Sequence, residues 1–203
     1  TSPLTLGTSP GSGTLTPKTS GGSLTLSNSF SGPLLLVNAV IADNGTASSL
    51  NKSGAGTVQI TAGATYTGAT TVDAGPLTLT GAGSLPDTSA VNLAGSTALL
   101  HLSGISATSE TIGPLTGLSG SQVVLGGKNL ALNAGTPATF AGVISGSGGS
   151  LTLLPGASQT LSGDNTFTGG VTIGAGGPLS VNQIENSGAQ PLGQGTTSIV
   201  MQG

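Results

Sequence analysis

One eight-residue motif occurs twice in this chain, 101 residues apart. Thr65–Val72 (TYTGATTV) reappears as Thr166–Ile173 (TFTGGVTI), and Gly75–Leu77 is matched after a one-residue insertion by Gly177–Leu179. Internal self-similarity of this kind identifies an array of structural repeats, which a local reading of the sequence would miss. The chain is therefore predicted to be one solenoid over residues 1–203, with internal repeats at about 41–104 and 140–203.

The charge content of the chain is very low. Only 4% of the 203 residues are charged, against about 25% in ordinary soluble domains, and the three cations are Lys18, Lys52 and Lys128, with no arginine. Binding of a phosphate backbone needs clustered Lys or Arg side chains. Nucleic-acid binding is therefore not expected.

Abundant Gly, Ser and Thr could indicate disorder, but the apolar content argues against it. Hydrophobic residues make up 35% of the chain, whereas disordered segments are poor in apolar residues and rich in charge. Aromatic residues are only 2%, so the core must be thin and built from Leu, Val, Ile, Ala and Thr. The longest apolar run, 34–42, is far shorter than the ~20 residues needed to span a bilayer.

Short runs of alternating apolar and polar residues recur along the whole chain, as in Thr57–Thr61, Leu77–Thr80 and Ser150–Leu154. Period-two alternation with β-branched residues predicts strands, and Gly-Pro, Asn-Gly and Gly-Gly pairs between them predict turns. The predicted fold is all-β, a parallel β-helix (β-solenoid) of about ten short coils, at ~20 residues per coil. The alternative is a β-sandwich that donates a strand from residues 1–26 to a neighbour.

The second copy of the motif resembles the repeats of autotransporter passenger proteins. In that family an Asn-Thr-Tyr-Thr-Gly-Gly turn leads into Thr-Thr-Val/Ile and then Gly-x-Leu, as in 164–173 and 177–179 here. The first copy departs from it, since Ala64 stands where the family prefers Asn. Upstream, Leu50–Val58 is similar to the family's Leu-x-Lys-x-Gly-x-Gly-Thr-Leu lead-in. The resemblance implies a secreted bacterial surface protein with a parallel β-helix and implies no activity.

The motif residues are predicted to have structural roles. The glycines are expected at corners that need positive φ or close approach of two coils, and the two aromatic residues are expected to occupy equivalent packing positions. The candidate structural residues are Thr65, Tyr66, Thr67, Gly68, Asn165, Thr166, Phe167, Thr168, Gly169 and Gly170.

Catalysis is not expected. The chain has no cysteine, which removes thiolate chemistry, and His101 is its only histidine. Glycan-cleaving β-helices need grouped carboxylates, whereas the six acids here are scattered and no arginine accompanies them. We predict no enzyme activity, no cofactor and no metal site. The irregular spacing of Thr-x-Thr pairs argues against a flat threonine ladder.

We therefore predict a non-enzymatic extracellular structural protein. It is expected to be a β-solenoid subunit of a surface fibre or filament that associates with its own copies, end to end and side by side. The terminal strands supply this contact, because Leu4–Leu6 and Ser198–Met201 lie at the two extremes in strand rhythm and an unpaired strand edge templates another chain. The alternative is an adhesin-type passenger segment that binds a glycan or a host surface.

Overall fold

The computed structural model describes residues 3–183, 190–194 and 199–202. Within them the chain is a succession of short strands: β1 (Leu4–Leu6), β2 (Thr14–Leu15), β3 (Ser23–Ser27), β4 (Leu35–Val37), β5 (Val40–Ile41), β6 (Ser49–Ser53), β7 (Val58–Ile60), β8 (Thr70–Val72), β9 (Gly75–Gly81), β10 (Val91–Leu93), β11 (Ala98–Ile105), β12 (Ser109–Ile112), β13 (Leu115–Gly117), β14 (Gln122–Val124), β15 (Asn129–Leu132), β16 (Ala138–Phe140), β17 (Val143–Ser145), β18 (Ser150–Leu153), β19 (Gln159–Leu161), β20 (Val171–Ile173), β21 (Leu179–Val181) and β22 (Ile199–Met201).

The strands stack into a solenoid with three faces, which each coil visits in the same order. The first face is the sheet β1-β4-β7-β9-β11-β14-β17. The second face carries the pair β2-β5 and, further along the rod, the sheet β12-β15-β18-β20-β22. The third face is the eight-stranded sheet β3-β6-β8-β10-β13-β16-β19-β21. The predicted parallel β-solenoid is thus confirmed.

The number of coils is about eight, and the predicted ten is slightly too high. The eight strands of the third face, stacked about 4.8 Å apart, give a rod of roughly 38 Å. The estimate failed because coils are longer than assumed. Leu24 pairs with Leu50, 26 residues later, and Val91 with Leu115, 24 residues later, whereas Leu50 and Thr70 are 20 apart.

The sandwich alternative is wrong. All strand pairs among the described residues are parallel, whereas a β-sandwich is built from antiparallel sheets. The segment considered as a donated strand instead forms the first coil, since β1 pairs with β4, β2 with β5 and β3 with β6. These pairings belong to the chain's own solenoid.

Alternate side chains of each strand point into a thin apolar core. Fully buried leucine, valine and isoleucine side chains recur coil after coil, and Leu50, Val72, Leu93 and Leu100 are examples with 0% exposure. Phe140 is also fully buried, whereas Phe30, which lies in a similar Phe-x-Gly sequence, is 72% exposed. The likeness of those two short sequences therefore does not extend to their environments.

The outward side of the third face is a regular polar ladder. Its strand residues in the central column are in register from coil to coil and all carry a hydroxyl or amide: Thr25, Asn51, Thr71, Asn92, Thr116, Thr139, Thr160 and Ser180. None of the Thr-x-Thr pairs of the sequence lies in this column, so the expectation that they form no flat threonine ladder stays a prediction. Coils of unequal length hide the period in the sequence, because extra residues are absorbed in the corners.

Among the described residues, no helix is long and apolar enough to cross a membrane.

Truncation of one core leucine tests the energetic role of the stacked interior. Leu100→Ala removes a fully buried side chain of β11 and is expected to lower the free energy of unfolding by about 2–5 kcal/mol. Leu118→Ala, at a leucine that is 56% exposed, is the matched control and should change it little. Urea unfolding followed by circular dichroism measures both, and equal losses would contradict the assigned core.

Candidate functional site

The two copies of the repeated motif lie on different faces of the rod. Thr65–Val72 ends in β8 on the third face, whereas Thr166–Ile173 ends in β20 on the second face. The lead-in residues follow the same shift, because Leu50 lies in β6 of the third face and Leu151 in β18 of the second. The 101 residues between the two copies therefore do not make up a whole number of coils. The second copy lies one face earlier in its coil than the first copy does in its own.

The local geometry of the two copies is nevertheless the same. The N–H of Gly68 donates to the carbonyl of Ser48 at 2.9 Å, and the N–H of Gly169 donates to that of Gly149 at 2.7 Å. One residue further on, the carbonyl of Ala69 accepts the N–H of Leu50 at 2.9 Å. The carbonyl of Gly170 accepts the N–H of Leu151 in the same way at 3.1 Å. Each motif thus fastens its coil to the preceding coil.

Gly68 and Gly169 are required by close approach and not by positive φ. A Cβ atom added to Gly68 would lie 2.4 Å from the Ser48 carbonyl oxygen, and one added to Gly169 would lie 2.4 Å from that of Gly149. Neither residue has a positive φ. Of the two reasons that the sequence offers for these glycines, the structure therefore selects the second.

The aromatic residues of both copies fill the interior. Tyr66 is 1% exposed and Phe167 is 0% exposed. The Tyr66 hydroxyl lies 2.5 Å from Thr70 Oγ1, and Thr70 Oγ1 lies 2.9 Å from Ser89 Oγ, which donates to the Gly68 carbonyl. Burial raises the pKa of Tyr66 to about 12, so this phenol is a hydrogen-bonding group and not an acid at neutral pH.

The threonines of the motif attach the turn to the coil before it. The N–H groups of Thr65 and Thr166 each donate 2.8 Å hydrogen bonds, to the carbonyls of Ile41 and Ile144. Thr67 is held by Asp43, which accepts its N–H at 3.0 Å and its hydroxyl at 2.8 Å. Hydrogen bonds from the Ser48 and Thr67 N–H groups lower the pKa of Asp43. In the second copy, Thr168 N–H donates to a backbone carbonyl, at 3.1 Å.

Asn165 is fully buried and joins two neighbouring coils. Its Oδ1 accepts the N–H of Ile144 at 2.7 Å, and its Nδ2 donates to the carbonyl of Pro191. Its backbone also pairs with Gln190. The first copy has Ala64 at this position, whose backbone N–H donates to the carbonyl of Ser84 at 3.0 Å. The asparagine side chain is thus an addition to the turn and not a requirement for it.

Lys52 is buried in the core, an environment that its sequence context did not reveal. Its side chain is 0% exposed, and its ammonium group donates to the carbonyls of Gly54 and Ala74. Burial lowers the pKa of Lys52 to about 8, and the Asp73 carboxylate partly opposes that shift. The equivalent position of the second copy is Leu153, which is also buried. The aliphatic stem of lysine can occupy a leucine position because the corner carbonyls receive its charged end.

Glu110 is a second buried charge that sequence analysis missed. It projects inward from β12 with 3% exposure, and its Oε1 accepts the N–H of Leu85 at 2.7 Å. The pKa of Glu110 is raised to about 7, and burial is the main cause. The hydrogen bond from the Leu85 N–H opposes this shift, and the Asp87 carboxylate adds to it. Its position in the inward register of the strand Ser109–Ile112 is the one sequence signal that could have identified it.

The interior polar groups hydrogen-bond to backbone groups or to one another. The single histidine, His101, faces outward from β11 with its Nε2 2.9 Å from Ser103 Oγ. Within the described residues, no group of three or more His, Asp or Glu side chains could hold a metal ion. These polar groups satisfy buried hydrogen-bonding groups and hold neighbouring coils in position.

These features define the class of protein: a parallel β-solenoid in which a repeated turn hydrogen-bonds its coil to the preceding coil. The family model of the passenger-associated-transport-repeat matches residues 18–39, 50–79 and 156–181. The resemblance seen in the sequence is confirmed, and the chain carries the repeat of autotransporter passenger β-helices. That repeat family implies a secreted or surface-exposed passenger domain. No curated protein and no solved structure matches the chain.

Removal of the Asn165 side chain tests its role between coils. Asn165→Ala leaves the buried N–H of Ile144 and the carbonyl of Pro191 without their partner, and an unsatisfied buried polar group costs roughly 1–3 kcal/mol. Asn182→Ala removes an exposed amide and is the control. Thermal and urea unfolding should show the loss for Asn165→Ala alone, and an unchanged stability would contradict a structural role.

Glu110 predicts a pH-dependent stability with a definite sign. Because the folded-state pKa is raised from the ordinary 4.5 to about 7, the native state binds the proton more tightly, and stability falls as pH rises from about 4.5 to 7. The change corresponds to roughly 3 kcal/mol. Glu110→Gln should remove most of this dependence. Urea unfolding between pH 4.5 and 7.5 measures it, and equal slopes in both proteins would contradict the assignment.

Proposed function

We propose that the chain is a non-enzymatic extracellular structural protein, a β-solenoid subunit that assembles head to tail into a fibre or filament at the cell surface. The observation that supports this proposal is the exposure of apolar, core-facing side chains on the coils that carry β1 and β22. Everywhere between the ends, the corresponding side chains are covered by the next coil.

At one end, the first coil leaves its inward residues uncovered. Leu4 pairs with Leu35, which is 8% exposed and faces the core, yet Leu4 itself is 66% exposed. Phe30, at 72% exposure, lies beside it, and the two line a mainly apolar cavity of about 340 Å³ together with Pro33 and Leu34. This end therefore offers apolar surface that association would remove from water.

The other end has the same character. Ile199 pairs with Val171, which is 3% exposed, and Met201 pairs with Ile173. Ile199 is 51% exposed and Met201 is 78% exposed. A contact between the coil with β22 of one copy and the coil with β1 of the next copy is heterologous, and it would continue without closing into a filament.

The second candidate is an adhesin-type passenger segment that binds a glycan or a host surface along its side. The polar ladder of the third face favours it, because a row of hydroxyl and amide groups at one-coil spacing presents repeated donors and acceptors to an extended ligand. Aromatic stacking would contribute little, since Tyr66, Phe140 and Phe167 are buried and Phe30 lies at the end of the rod.

Charged substitutions at the ends test end-to-end assembly. Leu4→Lys and Met201→Lys place a charge on each apolar end, and both are expected to abolish filaments because the contact would bury an unpaired ammonium group. Thr139→Lys, on the polar side of the rod, is the control and should leave filaments intact. Negative-stain electron microscopy and size-exclusion chromatography provide the measurement. Isolated monomeric rods for the unsubstituted chain at all concentrations would overturn the proposal and favour the adhesin candidate.

A further inference from the structure

The outward sides of the first and third faces have opposite chemistry. Every outward strand residue of the third face is Ser, Thr or Asn. The first face, by contrast, turns five apolar strand residues outward: Leu36, Pro76, Leu99, Val124 and Val143. Outward apolar residues are thus concentrated on the first face, although Val40 and Val200 of the second face also point outward, and such a concentration indicates a contact surface.

Four of these residues form a stripe that passes beside the polar Gln122. Pro76 and Leu99 are ladder neighbours, and Leu99 and Val143 are the two ladder neighbours of Gln122. Val124 lies two residues along the strand from Gln122, within reach of both by the diagonal contacts of a sheet. No strand of the first face contains Lys, Arg, Asp or Glu. A charged side chain of a partner would therefore find no counter-charge within these strands.

The central outward column of the first face has the same order of polar and apolar side chains in both directions along the rod. In ladder order it is Thr5, Leu36, Gln59, Thr78, His101, Val124 and Ser145. Rotation about Thr78 places the apolar Leu36 opposite the apolar Val124, the polar Gln59 opposite His101, and Thr5 opposite Ser145. A surface that is complementary to itself in reverse is what a two-fold symmetric contact requires.

We propose that the first face binds the first face of a second copy of this chain, with the two rods antiparallel and Thr78 close to the two-fold axis. This contact is distinct from the end-to-end contact, because it uses the side of the rod and residues from the middle coils. Leu36 of one copy packs against Val124 of the other. Gln59 and His101 face each other and supply hydrogen bonds across the contact.

The size of the face predicts how strong the contact is. Seven strands about 4.8 Å apart, with outward-facing widths near 10 Å, give a pair that buries roughly 700 Å² in total. Stable interfaces generally exceed about 1,000 Å². A single pair of rods therefore associates transiently, and rods joined end to end gain strength because several such contacts act together.

Disulfide trapping suits a transient contact, and the chain has no cysteine of its own. Thr78→Cys places one thiol at the expected axis. Thr71→Cys, at a half-buried outward threonine of the third face, is the matched control. Under mild oxidation, Thr78→Cys is expected to form covalent dimers at least about tenfold faster than Thr71→Cys, since the contact raises the effective concentration of the thiols.

The direction of the rods has its own test. In the antiparallel pair, two copies of Leu36→Cys hold their thiols four coils apart, about 19 Å, so this variant alone should not cross-link. An equimolar mixture of Leu36→Cys and Val124→Cys should cross-link as the mixed dimer. Addition of Leu99→Lys to Thr78→Cys should return its rate to that of the control, with unchanged circular dichroism.

Three results would overturn the proposal. They are equal rates for Thr78→Cys and Thr71→Cys, rapid self-linking of Leu36→Cys, and no effect of Leu99→Lys. Protection of the Thr78→Cys thiol from a small maleimide in the isolated chain would also overturn it, in favour of cover by the chain's own segments. Failure of end-to-end assembly is seen separately, because it changes filament length in micrographs and leaves the mid-rod cross-link intact.

Discussion

The hydrogen-bonded ladder between successive coils is the interaction on which the rest of this structure depends. Every strand pair among the described residues is parallel, so each coil must follow the path of the one before it at about 4.8 Å. Where two coils approach most closely at a corner, no room is left for a side chain. Gly68 and Gly169 show this directly, because a Cβ atom at either would lie 2.4 Å from a carbonyl oxygen of the preceding coil. The thin aliphatic core follows from the same spacing.

Once the ladder is in place, the interior tolerates exchanges that look drastic in the sequence. The position occupied by Lys52 in one copy is occupied by Leu153 in the other, and both are buried. Corner carbonyls make this possible, since they accept the hydrogen bonds of an ammonium group at the end of an aliphatic stem. Asn165 and Ala64 differ in the same way. Polar groups in this core satisfy backbone near the corners, and Glu110 does so at the cost of a raised pKa.

Because the interior serves the ladder, the chemistry available to a partner lies on the outer faces and ends. The three faces are not equivalent. The third face carries the hydroxyl and amide ladder, and the first face carries an uncharged apolar stripe. The coils with β1 and β22 expose leucine, isoleucine and methionine side chains. Very low charge allows such surfaces to approach one another without long-range repulsion.

The sequence by itself determined the fold class, the parallel coils and the packing role of Tyr66 and Phe167, because alternation and motif repetition are local signals. Only the tertiary structure decided the number of coils, the rotation of the second copy by one face, and the regular Thr25–Ser180 ladder. These depend on how many residues each corner absorbs, and Gly- and Ser-rich corners leave no period to count. The tertiary structure also decided the burial of Lys52 and Glu110. A charged residue within an alternating strand is expected to face solvent until the register of that strand in the stack is known.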